Sequence, residues 1–135
     1  MSTAHPQTIG LDHVGLTVTD LAASEAFFVD CLGWRRFGGS ETYPSAYVTD
    51  GETRLTLWQA QMTDGVFDRH ANPGLHHLAL RVRSYEALLR LAKRLSRWPG
   101  VTIEFTPELS GSGPKVHAMV LEPGGCRIEF CWDPR

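Results

Sequence analysis

The residues best suited to chemistry sit in two short, matching segments. Residues 10–18 read Gly-Leu-Asp-His-Val-Gly-Leu-Thr-Val, and residues 74–82 read Gly-Leu-His-His-Leu-Ala-Leu-Arg-Val. Gly, Leu, His, Leu and Val recur in register, five of nine positions at an offset of 64. That level of agreement argues for two copies of one unit. The repeat singles out His13 and His77, and strand alternation adds Glu129. Two imidazoles and one carboxylate offered on one concave surface leave coordination positions open. Such a set suits a divalent ion that must also hold water or substrate. An ion held in this way polarises a carbonyl or stabilises an enolate-like oxygen.

The elements that must position these residues follow from periodicity. Asp20 is a plausible N-cap for a helix over residues 20–32, with Leu21, Phe28 and Leu32 at helical spacing and Gly33 as a stop. A second amphipathic helix starts at Ser84, carries Leu88, Leu91 and Leu95 on one stripe, and ends at Trp98-Pro99-Gly100. Strand-like segments follow each helix: Trp34–Gly39, Ala46–Thr49 and Arg54–Ala60, then Val101–Thr106, Val116–Leu121 and Arg127–Trp132. Turn signals separate them, at Asp50-Gly51, at 111–114 and at Pro123-Gly124-Gly125. Each half therefore reads β-α-β-β-β. The expected fold class is α+β: two tandem βαβββ modules forming a curved mixed sheet around a cleft, with the helices outside. The boundaries are 9–60 for the first module, 61–73 for a linker and 74–132 for the second, within one domain.

Alternation then sorts the faces. Val14, Leu16 and Val18 should pack on a helix, as should Leu55, Leu57, Leu78, Leu80, Val82, Ile128, Phe130 and Trp132. Phe27 and Phe28 belong to the core. His13, His77 and Glu129 fall on the other face. Thr56, Trp58, Arg81, Arg127 and Cys131 share it and are candidates to line a substrate cavity. His76 has the opposite parity to His77 and reads as a surface residue at a strand end. His5, His70 and His117 have no matching partner and read as surface or loop residues.

Bulk properties narrow the function classes. The chain has 135 residues, 42% of them hydrophobic, enough for a core without a staple. A formal charge of −2 gives neither a basic footprint for nucleic acid nor an acidic tail. No apolar run approaches the ~18 residues of a membrane span. The polar N-terminus lacks a signal-peptide core. Cys31, Cys126 and Cys131 are an odd number without a CxxC pair, and Cys126 and Cys131 point to opposite faces of one strand. Reduced thiols and a cytoplasmic location are expected. Eight short strands leave sheet edges open, which invites pairing, so a homodimer is expected.

The sequence resembles the vicinal oxygen chelate superfamily, the glyoxalase, bleomycin resistance protein and extradiol dioxygenase group, over about residues 9–132. The resemblance rests on residues 11–18 running into Asp20-Leu21, on Phe27-Phe28 with Leu32-Gly33, on residues 74–80, and on residues 122–130. The last stretch looks like the family's DPxGxxIE turn and strand, with Glu122 in place of Asp. The resemblance implies metal ligands at His13, His77 and Glu129, holding Fe, Mn, Zn, Ni or Co, with iron favoured for oxygenative chemistry. Its fourth position falls on Thr56, a poor ligand, which argues against a four-ligand glyoxalase I site. A His-His-Glu set is similar to that of fosfomycin-resistance enzymes and extradiol dioxygenases. The acid–base His and Tyr of the dioxygenases would fall on Pro114 and Met119, with His117 close but out of register. The resemblance thus implies a metal-dependent lyase, isomerase, transferase or ring-cleaving dioxygenase acting on a small molecule with vicinal oxygens. The alternative is a metal-free drug-binding protein of the bleomycin-resistance type.

Overall fold

The computed structural model describes residues 4–135. Eight strands and two helices follow the order expected from the repeat. In the first half, β1 (Val14–Val18) leads into α1 (Leu21–Ala26), then β2 (Arg35–Ser40), β3 (Ser45–Thr49) and β4 (Arg54–Gln59). In the second, β5 (Leu78–Arg81) leads into α2 (Tyr85–Leu95), then β6 (Thr102–Leu109), β7 (Val116–Leu121) and β8 (Arg127–Trp132). The strands form two four-stranded sheets, ordered β1-β4-β3-β2 and β5-β8-β7-β6. The pairs β1/β4 and β5/β8 are parallel and the others antiparallel, so both sheets are mixed in the same way. Among the described residues, no helix is long and apolar enough to cross a membrane.

Both helices start at the expected caps. Asp20 Oδ1 accepts from the Ala23 amide and Ser84 Oγ from the Ala87 amide, each at 3.0 Å. Each bond satisfies an amide that the first turn would otherwise leave unpaired. The first helix is not α throughout. It widens into a π-helical turn over Phe27–Cys31, with the Leu32 amide donating to Phe27 O. Trp34 was expected to open the next strand. Its amide instead donates to Phe28 O at 2.9 Å, and the strand begins at Arg35. The other departure is β6, which runs to Leu109 rather than stopping at Thr106. It lies at the edge of its sheet. An edge tolerates Pro107, which has no N–H to donate, and the register slips between Phe105 and Glu108 around it.

The core is one cluster shared by both halves. Leu16, Val18, Phe27, Phe28, Leu55 and Leu57 meet Leu80, Leu88, Leu95, Val120, Ile128 and Phe130, all buried. Burying each such side chain contributes about 1.5–3 kcal/mol. Val14, Leu78, Val82 and Trp132 are half-buried against its margin. This is the face that alternation assigns to the helices, so the opposite face of each sheet is left for function.

A polar joint also ties the halves together. The Glu122 carboxylate is fully buried and accepts from Ser24 Oγ (2.7 Å), the Gly124 amide (2.8 Å) and the Cys126 amide (2.9 Å). Gly124 O in turn accepts from the Thr19 amide at 3.0 Å. The Glu-Pro-Gly-Gly turn of the second half is therefore docked on the start of the first helix. All three cysteines are free thiols.

Candidate metal centre

The site is assembled by the pairing of three strands. Ala79 lies opposite Glu129 across the parallel β5/β8 pair. Met119 lies opposite Glu129, and His117 opposite Cys131, across the antiparallel β7/β8 pair. Opposed residues share a face, so His117, Glu129 and Cys131 stand together on the side away from α2. His77 immediately precedes β5, and its Nε2 lies 3.3 Å from Glu129 Oε2. On the other side, His117 Nδ1 lies 2.6 Å from Glu129 Oε1. The carboxylate is thus flanked by two imidazoles, with its side chain only 15% exposed.

Hydrogen-bond chemistry favours one placement of the protons. A guanidinium only donates. Arg127 Nη1 lies 3.3 Å from His76 Nδ1, so that nitrogen is an acceptor. Partial desolvation and the Arg127 charge hold His76 below the ordinary imidazole range, which keeps it neutral. His77 Nδ1 lies 2.8 Å from the same atom and is the donor in that arrangement. A neutral His77 then carries its lone pair on Nε2, facing the carboxylate. An ionised carboxylate only accepts, so His117 Nδ1 donates to Oε1. Arg127 itself is held by Glu104 through Nε and Nη2. That hydrogen-bonded pair raises the Arg127 pKa and lowers that of Glu104.

His13 lies apart from these residues. It precedes β1 on the other sheet, is half-exposed, and its Nδ1 lies 2.7 Å from Asp12 Oδ2. That bond holds Asp12 below the usual carboxylate range. Among the described residues, no three His, Cys, Asp or Glu side chains converge on one point fit for a metal. One chain therefore brings His77 and Glu129 together and leaves His13 elsewhere.

The expected lining residues are divided between surfaces. Thr56 Oγ1 accepts from Trp58 Nε1 at 2.9 Å on the first sheet. A Cβ at Gly15, which pairs with Thr56, would sit 3.2 Å from that hydroxyl, so glycine keeps the pair open. Arg81 is exposed. Burial and the Glu129 charge push the Cys131 thiol up. A cavity of about 670 Å³ opens between β1, the β7–β8 turn and the segment joining the halves. Arg127 lines it with Gly15, Thr17, Phe67, Arg69 and His76, whereas His13, His77 and Glu129 do not. Cys126 also borders it, but burial and the adjacent Glu122 carboxylate push that thiol up to about 12, so it stays protonated.

His117 requires a correction. Read as a surface or loop residue, it is half-buried within β7 and its ring packs on Phe105 with centroids 4.8 Å apart. The signal was present in the sequence. Ala118 and Val120 point into the core, so His117 must share the face of Glu129.

Comparison with known proteins settles the family. The glyoxalase/bleomycin resistance protein/dioxygenase superfamily model matches residues 10–130. The chain belongs to this superfamily. A glyoxalase/bleomycin resistance protein/dioxygenase domain from Frankia sp. EAN1pec superposes with a TM-score of 0.81 at 24% identity, over 96% of this chain and 95% of that one. A lactoylglutathione lyase from Agrobacterium tumefaciens gives 0.68 at 18% identity, over 94% of each chain. A genomically encoded fosfomycin resistance protein from Listeria monocytogenes gives 0.70 at 14% identity, over 93% and 94%. At these identities the likeness to solved structures establishes the fold alone. No curated protein matches the chain. Within the superfamily fold, imidazole and carboxylate donors such as His77 and Glu129 fit a borderline divalent ion.

Proposed function

We propose that this protein is a divalent-metal-dependent enzyme acting on a small molecule with adjacent oxygens, as a lyase, isomerase, transferase or ring-cleaving dioxygenase. One observation carries this reading: an imidazole nitrogen, His77 Nε2, and a carboxylate oxygen, Glu129 Oε2, stand side by side at 3.3 Å. With the His77 proton on Nδ1 both atoms are acceptors, and a cation placed between them satisfies both. Fe(II), Mn(II), Zn(II), Ni(II) or Co(II) bound there would supply Lewis acidity toward a substrate oxygen. His77 and Glu129 would hold the ion, and His13 is the third ligand in this reading.

Because His13 lies apart within one chain, we propose that the site is completed in a homodimer. Ile9, Leu11, Val66 and Phe67 are large, apolar and exposed, as expected of surface that a second copy covers. Sedimentation equilibrium at micromolar concentration should find a species at twice the 15.0 kDa chain mass. A species of 15.0 kDa alone would contradict the dimer. The three free thiols suit a reducing compartment, and we place the protein in the cytoplasm.

Calorimetric titration of metal-free protein with each ion tests the metal reading. One ion per chain should bind, and His77→Ala should abolish binding while the fold survives, since His77 lies outside the core. Absence of binding, or equal binding by His77→Ala, would favour a metal-free binder of the bleomycin-resistance type. That second reading has its own observation. Tyr43 and Tyr47 surround Trp58 with centroids 5.0 and 5.9 Å away, an aromatic wall on which a planar ligand could stack.

A further inference from the structure

We infer that His117 is a positioning residue for the carboxylate: its Nδ1–H bond to Glu129 Oε1 holds Oε2 toward His77 Nε2. The inference rests on the metal reading above, in which Glu129 is a ligand. The terminal torsion of a glutamate has a broad, shallow preference, so an untethered carboxylate samples many orientations. Here one oxygen is pinned at 2.6 Å and only the other is left to turn toward His77.

The donor is itself well held. His117 belongs to β7, hydrogen-bonded to β8 in a register that sets it diagonal to Glu129. Its ring leans on Phe105, tilted by 55°. Its side chain is 17% exposed, so water competes weakly for the bond. The pair therefore sits on two strands of one hairpin, whose turn is docked on the first half through Glu122 to Ser24 and Gly124 to Thr19. A support of this kind precedes metal arrival and spares the ion the cost of ordering its own ligand. His76 acts on His77 Nδ1 in the corresponding way, so both candidate ligands of the second half have an outer partner.

The test uses the full chain and Co(II) alone, followed by calorimetry and by the visible absorption of the bound ion. Loss of an outer-shell partner typically weakens metal affinity by about 10–100-fold, and His117→Ala should fall in that range with a shifted cobalt spectrum. His117→Asn carries its amide nitrogen on the same Cγ as Nδ1 and should restore both affinity and spectrum. His117→Gln places its amide one bond farther out and should behave like alanine. Circular dichroism checks that each variant is folded, and the Asn/Gln contrast decides the matter even if the alanine protein is not. Parent-like affinity in His117→Ala, or asparagine no better than glutamine, would overturn the inference while leaving the metal reading intact. A folded parent that binds no cobalt would overturn both.

Discussion

Glu129→Gln should nearly eliminate divalent-ion binding and at the same time make the metal-free protein slightly more stable. The two effects have opposite signs because the carboxylate suits an ion and not the empty site. With the His77 proton on Nδ1, Oε2 of the metal-free protein faces the lone pair of Nε2 at 3.3 Å, an acceptor opposite an acceptor. A glutamine keeps the shape, accepts from His117 through Oε1 and donates its NH₂ to Nε2. One repulsive contact becomes a hydrogen bond, worth about 1 kcal/mol. Toward a metal, the same change removes the anionic donor. Disturbing an outer partner alone costs about 10–100-fold, so losing the ligand should cost at least about 100-fold. Thermal melts with and without Co(II), beside a calorimetric titration, report both quantities. If His77 instead carries a proton on Nε2, Glu129→Gln breaks an ion pair. The melting temperature of the metal-free protein then falls, and the argument from facing acceptors fails.

Much of this site could be read from alternation. Leu16, Val18, Leu55, Leu57, Ile128 and Phe130 are buried where a period of two puts them. That pattern alone sends Glu129 to the opposite face, and the repeat sends His13 and His77 there too. β7 and β8 have the expected bounds. With five residues, 122–126, between them, their antiparallel register follows, and it sets His117 beside Glu129. His117 has no repeat partner to single it out, and only its place in β7 reveals its face. Other features have no periodic signal. The stretch from residue 60 to 77 holds no helix or strand, so nothing in its sequence dictates how it borders the cavity. Ser24 bonds Glu122 across 98 positions of chain, a contact that only the packing of one half on the other creates. The same packing separates His13 from His77, although the repeat makes them look equivalent.

The joint between the halves should be the most sensitive point in the fold, and Gly124→Ala should destabilise it severely. A Cβ at this position would lie 2.0 Å from Ser24 Oγ, 2.7 Å from Val18 Cβ and 2.8 Å from Glu122 Oε1. Val18 Cβ is fixed to its backbone, and the Glu122 carboxylate and Ser24 hydroxyl are held by buried hydrogen bonds, so the methyl group has no cheap way out. Forcing one extra carbon into a packed core costs about 1–3 kcal/mol. Moving Ser24 also removes a donor from the buried Glu122 carboxylate, at about 1–3 kcal/mol more. A total of about 2–6 kcal/mol is a large share of the roughly 5–15 kcal/mol that stabilises a typical domain. At roughly 4 °C per kcal/mol, the melting temperature should fall by about 8–24 °C. Gly125→Ala is the informative control. Its Cβ would meet nothing within 4 Å, but its φ of +97° disfavours any side chain. Strain of that kind costs about 1–3 kcal/mol, so the neighbouring glycine should tolerate alanine better. Adding Ser24→Ala to Gly124→Ala removes the closest overlap but leaves the contact with Val18. The double variant should therefore melt above the sum of the two single losses, as coupled neighbours do. Thermal denaturation followed by circular dichroism ranks all four proteins. A Gly124→Ala protein as stable as Gly125→Ala would mean that the turn is not seated on the first helix as described.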